Sequence, residues 1–99
     1  MRIIRSGLLF LLIGFVAHSA HAGPCDTLLC MTGKLQGQSG GIECNQPIAD
    51  YFNIIEYGKH WRFDPSATAA ARLGFLNSCQ APGIGDWPTK INAAYGTIL

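Results

Sequence analysis

The chain has 99 residues, 48% of them hydrophobic and 13% charged, with four cysteines and a formal net charge of +1. That length holds one domain, and so near-neutral a balance carries no basic stripe of the kind nucleic acid requires. The surplus cations sit at the start, where Arg2 and Arg5 precede an apolar run from Leu8 to Ala17 and a polar stretch that ends Ala20-His21-Ala22. A charged start, an apolar core and an A-x-A exit are the three parts of a secretory signal peptide. The run is too short to be a membrane span, which needs roughly 20 apolar residues to cross about 30 Å of hydrocarbon. Cys25 follows Pro24 and lacks the small-residue context of a lipidated cysteine. The expected organisation is a signal peptide over residues 1–22, cleaved after Ala22, and a periplasmic domain over 23–99.

Beyond Ala22, Lys34, Lys59, Arg62, Arg72 and Lys90 stand against Asp26, Glu43, Asp50, Glu56, Asp64 and Asp86, five cations against six carboxylates and a net charge of −1. So small a domain buries little surface and leans on covalent staples. Cys25, Cys30, Cys44 and Cys79 all lie in this part. An even number of cysteines in an exported chain reads as two disulfides, each stabilising by about 2–4 kcal/mol.

Four segments of helical period follow in order. In the first, about Asp26 to Thr32, Asp26 is the expected N-cap, and Cys25, Leu28 and Leu29 share a face by their i, i+3, i+4 spacing. Gly33 is the expected stop, and a glycine-rich loop runs on to Gly41. In the second, about Glu43 to Tyr57, Ile48, Tyr51, Phe52 and Ile55 trace an amphipathic stripe with Cys44 one turn earlier. Pro47 belongs in its first turn, where the missing N–H does no harm. The third, about Pro65 to Cys79, opens on the start signal Asp64-Pro65 and turns Ala69, Leu73, Leu76 and either Cys79 or Gln80 inward. Ala81-Pro82-Gly83 breaks it. In the fourth, about Pro88 to Ile98, Trp87, Ile91, Ala94, Tyr95 and Ile98 fall on one face. Strand alternation is absent. The expected fold is all-α, a small disulfide-stapled bundle of three to four short helices.

Two pairings suit that bundle. An antiparallel arrangement of the first two helices favours Cys30–Cys44 with Cys25–Cys79, and an up-down arrangement also admits Cys25–Cys30 with Cys44–Cys79. The spacing is wrong for a thiol oxidoreductase, which needs C-x-x-C to set a low thiolate pKa. It is wrong for a structural zinc site as well, because Cys44 and Cys79 are far apart. His60, the only histidine beyond Ala22, has no free thiol to act on. No catalytic residue, metal ligand or cofactor is therefore expected. The best contact candidate is the loop carrying Lys59, His60, Trp61 and Arg62, since Trp and Arg are enriched at binding hot spots. The competing expectation folds Trp61 and Phe63 back onto a core short of apolar residues. Arg72 is expected to pair with Asp64 or Asp50, or else to join the contact face.

Cys25-x4-Cys30-Met31-x-Gly33, the pair Gly40-Gly41 before Cys44, Ile48-x-x-Tyr51-Phe52-x-Ile54, then Phe63, Thr68, Arg72, Phe75-Leu76 and Cys79 together resemble the TrbM/KikA family of conjugal transfer proteins. The resemblance covers residues 25–79. It implies an exported accessory protein of plasmid conjugation that works with the mating-pair, type IV secretion apparatus, with the four cysteines in a structural role. It carries no catalytic residues. The expected function is protein–protein interaction in the envelope; the alternative is a secreted effector or inhibitor acting on another cell or on an envelope enzyme.

Overall fold

The structure, a computed structural model, describes residues 23–99. The signal-peptide assignment and its cleavage site after Ala22 lie outside the described residues. The order is helix α1 (Pro24–Leu35), a 3-10 turn (Ile42–Cys44), α2 (Asn45–Phe52), a second 3-10 turn (Lys59–Trp61), α3 (Pro65–Asn77) and α4 (Trp87–Tyr95). Among the described residues there is no strand, only an isolated antiparallel bridge between Tyr57 and Phe63. The fold is the all-α, disulfide-stapled bundle that the helical periodicities predict.

Helix α1 opens at Pro24 with Gly23 in the N-cap position, and Asp26 lies in the first turn without capping by its side chain. Proline suits this place because the N–H it lacks would have had no helical partner. The helix runs through Gly33 to Leu35, past the expected stop. A glycine inside a helix costs only about 1 kcal/mol, and Leu35 packs on the core one half-turn later. The left-handed turn falls instead at Gly37, where φ is +84°. The face assignment also needs correction. Thr27, Leu28 and Met31 are buried, whereas Leu29 is 74% exposed. Residues 28, 31 and 35 form the stripe at i, i+3, i+7, and one residue on from Leu28 is a rotation of about 100° away from it.

Helix α2 keeps the expected stripe at Ile48, Tyr51 and Phe52, with Tyr51 fully buried and the other two packed against the core, whereas Ile55 lies beyond its end. Pro47 sits buried in its first turn, and its carbonyl accepts a hydrogen bond from Thr27 Oγ1 at 2.9 Å. The helix stops at Phe52, short of the expected Tyr57. The chain leaves the helix because its outgoing carbonyls bond elsewhere. Arg72 takes those of Phe52 and Ile54, and Thr68 Oγ1 pairs with both the N–H and the carbonyl of Glu56.

Helix α3 starts as the sequence predicts, with Asp64 Oδ1 accepting from the Ala67 N–H at 3.0 Å. Its innermost residues are Thr68, Arg72 and Leu76 at i, i+4, i+8, with Ala69 and Leu73 only half-buried. In α4, Pro88 and Ile91 are buried and Asn92 is half-buried. Ala94 and Ile98, expected on the inner face, are exposed.

The core is Leu28, Met31, Tyr51, Leu76, Cys79 and Ile91, flanked by Leu35, Ile48, Phe52, Ile84, Trp87 and Tyr95. Helix α1 packs on the other three helices, and α3 packs on α4 as well. The disulfides are Cys25–Cys79, with Cα atoms 4.8 Å apart, and Cys30–Cys44, at 5.5 Å. The first ties the start of α1 to the exit of α3. The second closes the hairpin of α1 and α2. Gly40 approaches that second bridge so closely that a Cβ there would lie 2.5 Å from Cys44 Sγ, and its φ of +73° belongs to the region glycine occupies without strain. Glycine at that position therefore goes with the bridge.

Candidate functional site

Besides the single pairs of Lys34 over Tyr95 and Lys90 over Trp87, two larger clusters gather aromatic and cationic side chains, one buried and one exposed. The first is internal. Arg72 is 0% exposed and lies with its guanidinium 5.1 Å from the Tyr51 ring centre and 5.2 Å from that of Phe52. Its Nε donates to the Ile54 carbonyl at 3.0 Å and its Nη2 to Phe52 at 3.2 Å. Its Nη1 donates to the carbonyls of Tyr95, Gly96 and Ile98, the first at 2.8 Å. Phe52 ends α2 and Tyr95 ends α4. The last carbonyls of a helix have no partner within it and carry the negative end of its dipole. Arg72 thus caps two helices at once, and the planar fork of its donors is what lets one side chain reach both.

This corrects the expectation of an ion pair with Asp64 or Asp50. The partners of Arg72 are carbonyls, and the only ion pair among the described residues joins Lys90 to Asp86 at 3.6 Å. It also removes Arg72 from any contact surface. Burial pushes the guanidinium below its ordinary pKa, with Tyr51 acting in the opposite direction. The Tyr51 phenol is pushed up to about 12 by burial, against a smaller pull from Arg72. Its hydroxyl donates to Asn92 Oδ1 at 2.8 Å, and Asn92 Nδ2 donates to the Ala69 carbonyl at 2.9 Å. No buried side-chain nitrogen or oxygen among the described residues lacks a partner. The cluster is a satisfied polar core.

The second cluster is external. Between α2 and α3 the chain forms a tight hairpin. The Gly58 N–H donates to the Arg62 carbonyl at 2.7 Å, and the Asp64 N–H to Glu56 at 2.9 Å. Its tip is Lys59, His60, Trp61 and Arg62, all exposed, with Trp61 at 86%. Phe63 is half-buried at the base and Tyr57 is 56% exposed. Of the two expectations for Trp61, packing inward or facing outward, the structure has the outward one. His60 and Trp61 adopt φ of 59° and 60°, two consecutive non-glycine residues in the left-handed region. Each such residue costs about 1–2 kcal/mol, and for a bulky side chain it is a true outlier. The four-residue contact candidate from the sequence is therefore brought together at one tip, without Arg72.

Two shallow grooves flank the exposed Leu29. One, of about 290 Å³, follows the Cys25–Cys79 bridge to Ile84 and Trp87. The other, of about 300 Å³, follows the Cys30–Cys44 bridge to Gln38 and Gly40. Neither is lined by an ionisable side chain, so neither offers acid–base chemistry. All four cysteines are in disulfides, and among the described residues no group of three or more His, Cys, Asp or Glu is placed to hold a metal. No helix of the described residues is long and apolar enough to cross a membrane. The two disulfides fit a protein that folds in an oxidising compartment. No protein-family model, curated protein or solved structure matches the chain.

Proposed function

We propose that this protein is an exported accessory factor of plasmid conjugation, acting in the periplasm by protein–protein contact with components of the mating-pair, type IV secretion apparatus. The observation that carries the contact reading is the Trp61 hairpin: an indole held 86% exposed between two cations on a disulfide-stapled scaffold. The conjugative setting rests on the sequence resemblance to the TrbM/KikA family over residues 25–79. A small domain with its buried polar groups paired and its cysteines all in disulfides is a stable scaffold on which to present a surface.

The test is mating frequency from a donor that lacks the gene, complemented with the full chain or with a chain starting at Gly23. Transfer that falls and returns only with the full chain supports the reading. Transfer that never falls removes the conjugative role. Protein recovered in the medium, with a growth phenotype in neighbours lacking the apparatus, would then favour a secreted effector.

A further inference from the structure

We infer that the Tyr57–Phe63 hairpin is a preformed knob whose occupant is an indole-sized apolar pocket, rimmed by carboxylates, on a protein partner. The inference rests on the contact reading above and adds the chemistry of the other side. Three observations carry it.

Charge comes first. Lys59 and Arg62 flank Trp61, and neither takes part in the single ion pair found among the described residues. The nearest carboxylates in sequence, Glu56 and Asp64, lie at the base of the hairpin. Asp64 is engaged there by the Ala67 N–H and by Ser66 Oγ. The tip is therefore cationic on a chain whose residues beyond Ala22 are net negative, and an acidic rim complements it.

Preorganisation comes second. His60 and Trp61 hold left-handed backbone angles, closed from below by the Gly58-to-Arg62 hydrogen bond and the Tyr57–Phe63 bridge. Strained non-glycine geometry of this kind persists where the surroundings enforce it and clusters at ligand clamps. A rigid loop loses little freedom on docking, and a single presented indole suits a shaped pocket.

Magnitude comes third and decides against an anionic bilayer. Each cation near such a surface raises affinity by a factor of roughly five, and one indole adds a small apolar area. A whole acyl chain gives only marginal membrane binding, so this tip falls short of an anchor. In a protein pocket the same three side chains are desolvated together and count for far more.

The test begins in donor cells with the full chain carrying Tyr57→p-benzoylphenylalanine, which leaves the tip intact, and with Gln80→p-benzoylphenylalanine as the control. The expected result is a protein adduct from position 57 and none from position 80. The captured protein, purified, should bind the wild-type domain in a titration. Trp61→Ala and the pair K59E/R62E should each weaken that binding at least tenfold at unchanged melting temperature. Exchanging a partner carboxylate for lysine should recover binding to K59E/R62E. An adduct with lipid alone, no adduct from position 57, or full affinity in both variants overturns the inference. The two readings fail separately. A Trp61→Ala chain that restores transfer completely removes the knob and leaves the conjugative role standing, whereas unchanged transfer on deletion removes that role and leaves the crosslink to decide the knob.

Discussion

Arg72 and Arg62 lie ten positions apart in the chain and have nothing else in common. Arg72 is wholly buried between two aromatic rings and spends its donors on the carbonyl ends of α2 and α4. Arg62 is exposed beside an exposed tryptophan. An arginine beside aromatic rings in the folded chain can thus be a structural cation or a contact cation. The difference is whether helix ends converge on it. A buried charge without a carboxylate is tolerable here because five carbonyl bonds replace its hydration. The tip has no such neighbours, so its charges stay in water.

The comparison breaks most sharply at Arg72. Replacing it with methionine keeps the length and the packing but leaves carbonyls of two helix ends without a donor. The expected loss is about 3–5 kcal/mol, most of the stability of a small domain, read as the shift of a urea midpoint. Arg72→Lys should recover little, since a compact ammonium cannot reach both helix ends. A methionine variant within 1 kcal/mol of wild type would mean that the cation is not the hub. Next in size are the staples. Chain-entropy arguments give about 4 kcal/mol for the Cys25–Cys79 bridge, which spans a separation of 54, and about 3 kcal/mol for Cys30–Cys44, which spans 14. Paired alanine variants compared by urea melts should follow that order. The reverse order would show that the α1–α2 hairpin depends on its own bridge more than the whole bundle depends on the long one.

Tyr51 sharpens the contrast through pH. Its folded pKa of about 12 lies above the ordinary 10, so the folded state holds the proton more tightly than the unfolded chain. The associated stability is complete below pH 10 and is lost as pH rises through 12. Its size is up to roughly 2–3 kcal/mol. Tyr51→Phe should flatten this alkaline limb and cost about 1 kcal/mol at neutral pH through the lost bond to Asn92. An alkaline limb of unchanged depth in the phenylalanine variant would place its origin elsewhere.

The all-α fold was legible because the stripes are strong and the capping signals plain: Asp64-Pro65 opens α3 where it should, and Ile48, Tyr51 and Phe52 mark α2. The polar core was not. Thr68, Arg72 and Leu76 share the inner face of α3, but threonine and arginine weaken the apolar contrast on which periodicity depends. The ends of α2 and α4 then follow from Arg72, since a helix that yields its last carbonyls to a distant side chain stops where that side chain reaches. Those contacts are 18 to 26 residues apart in sequence, beyond any local signal. The contact loop was legible as composition, four consecutive cationic and aromatic residues. The direction Trp61 faces was not, because it depends on two left-handed residues that neither histidine nor tryptophan announces.

The smallest expected effects belong to that loop, and they run opposite to those of the hub. Trp61→Ala removes a side chain that is 86% exposed, so stability should change by no more than about 0.5 kcal/mol. His60→Gly places at φ 59° the one residue that occupies this region freely. Relief of strain worth about 1–2 kcal/mol is offset in part by the larger freedom of glycine in the unfolded chain. A net gain of up to about 1 kcal/mol should appear in the same urea melts. A domain that becomes more stable when a residue of its exposed tip is simplified is holding that tip in a shape that folding alone does not require. If His60→Gly instead destabilises, the left-handed pair is supported by contacts of its own, and the tip is part of the scaffold in the same sense as Arg72.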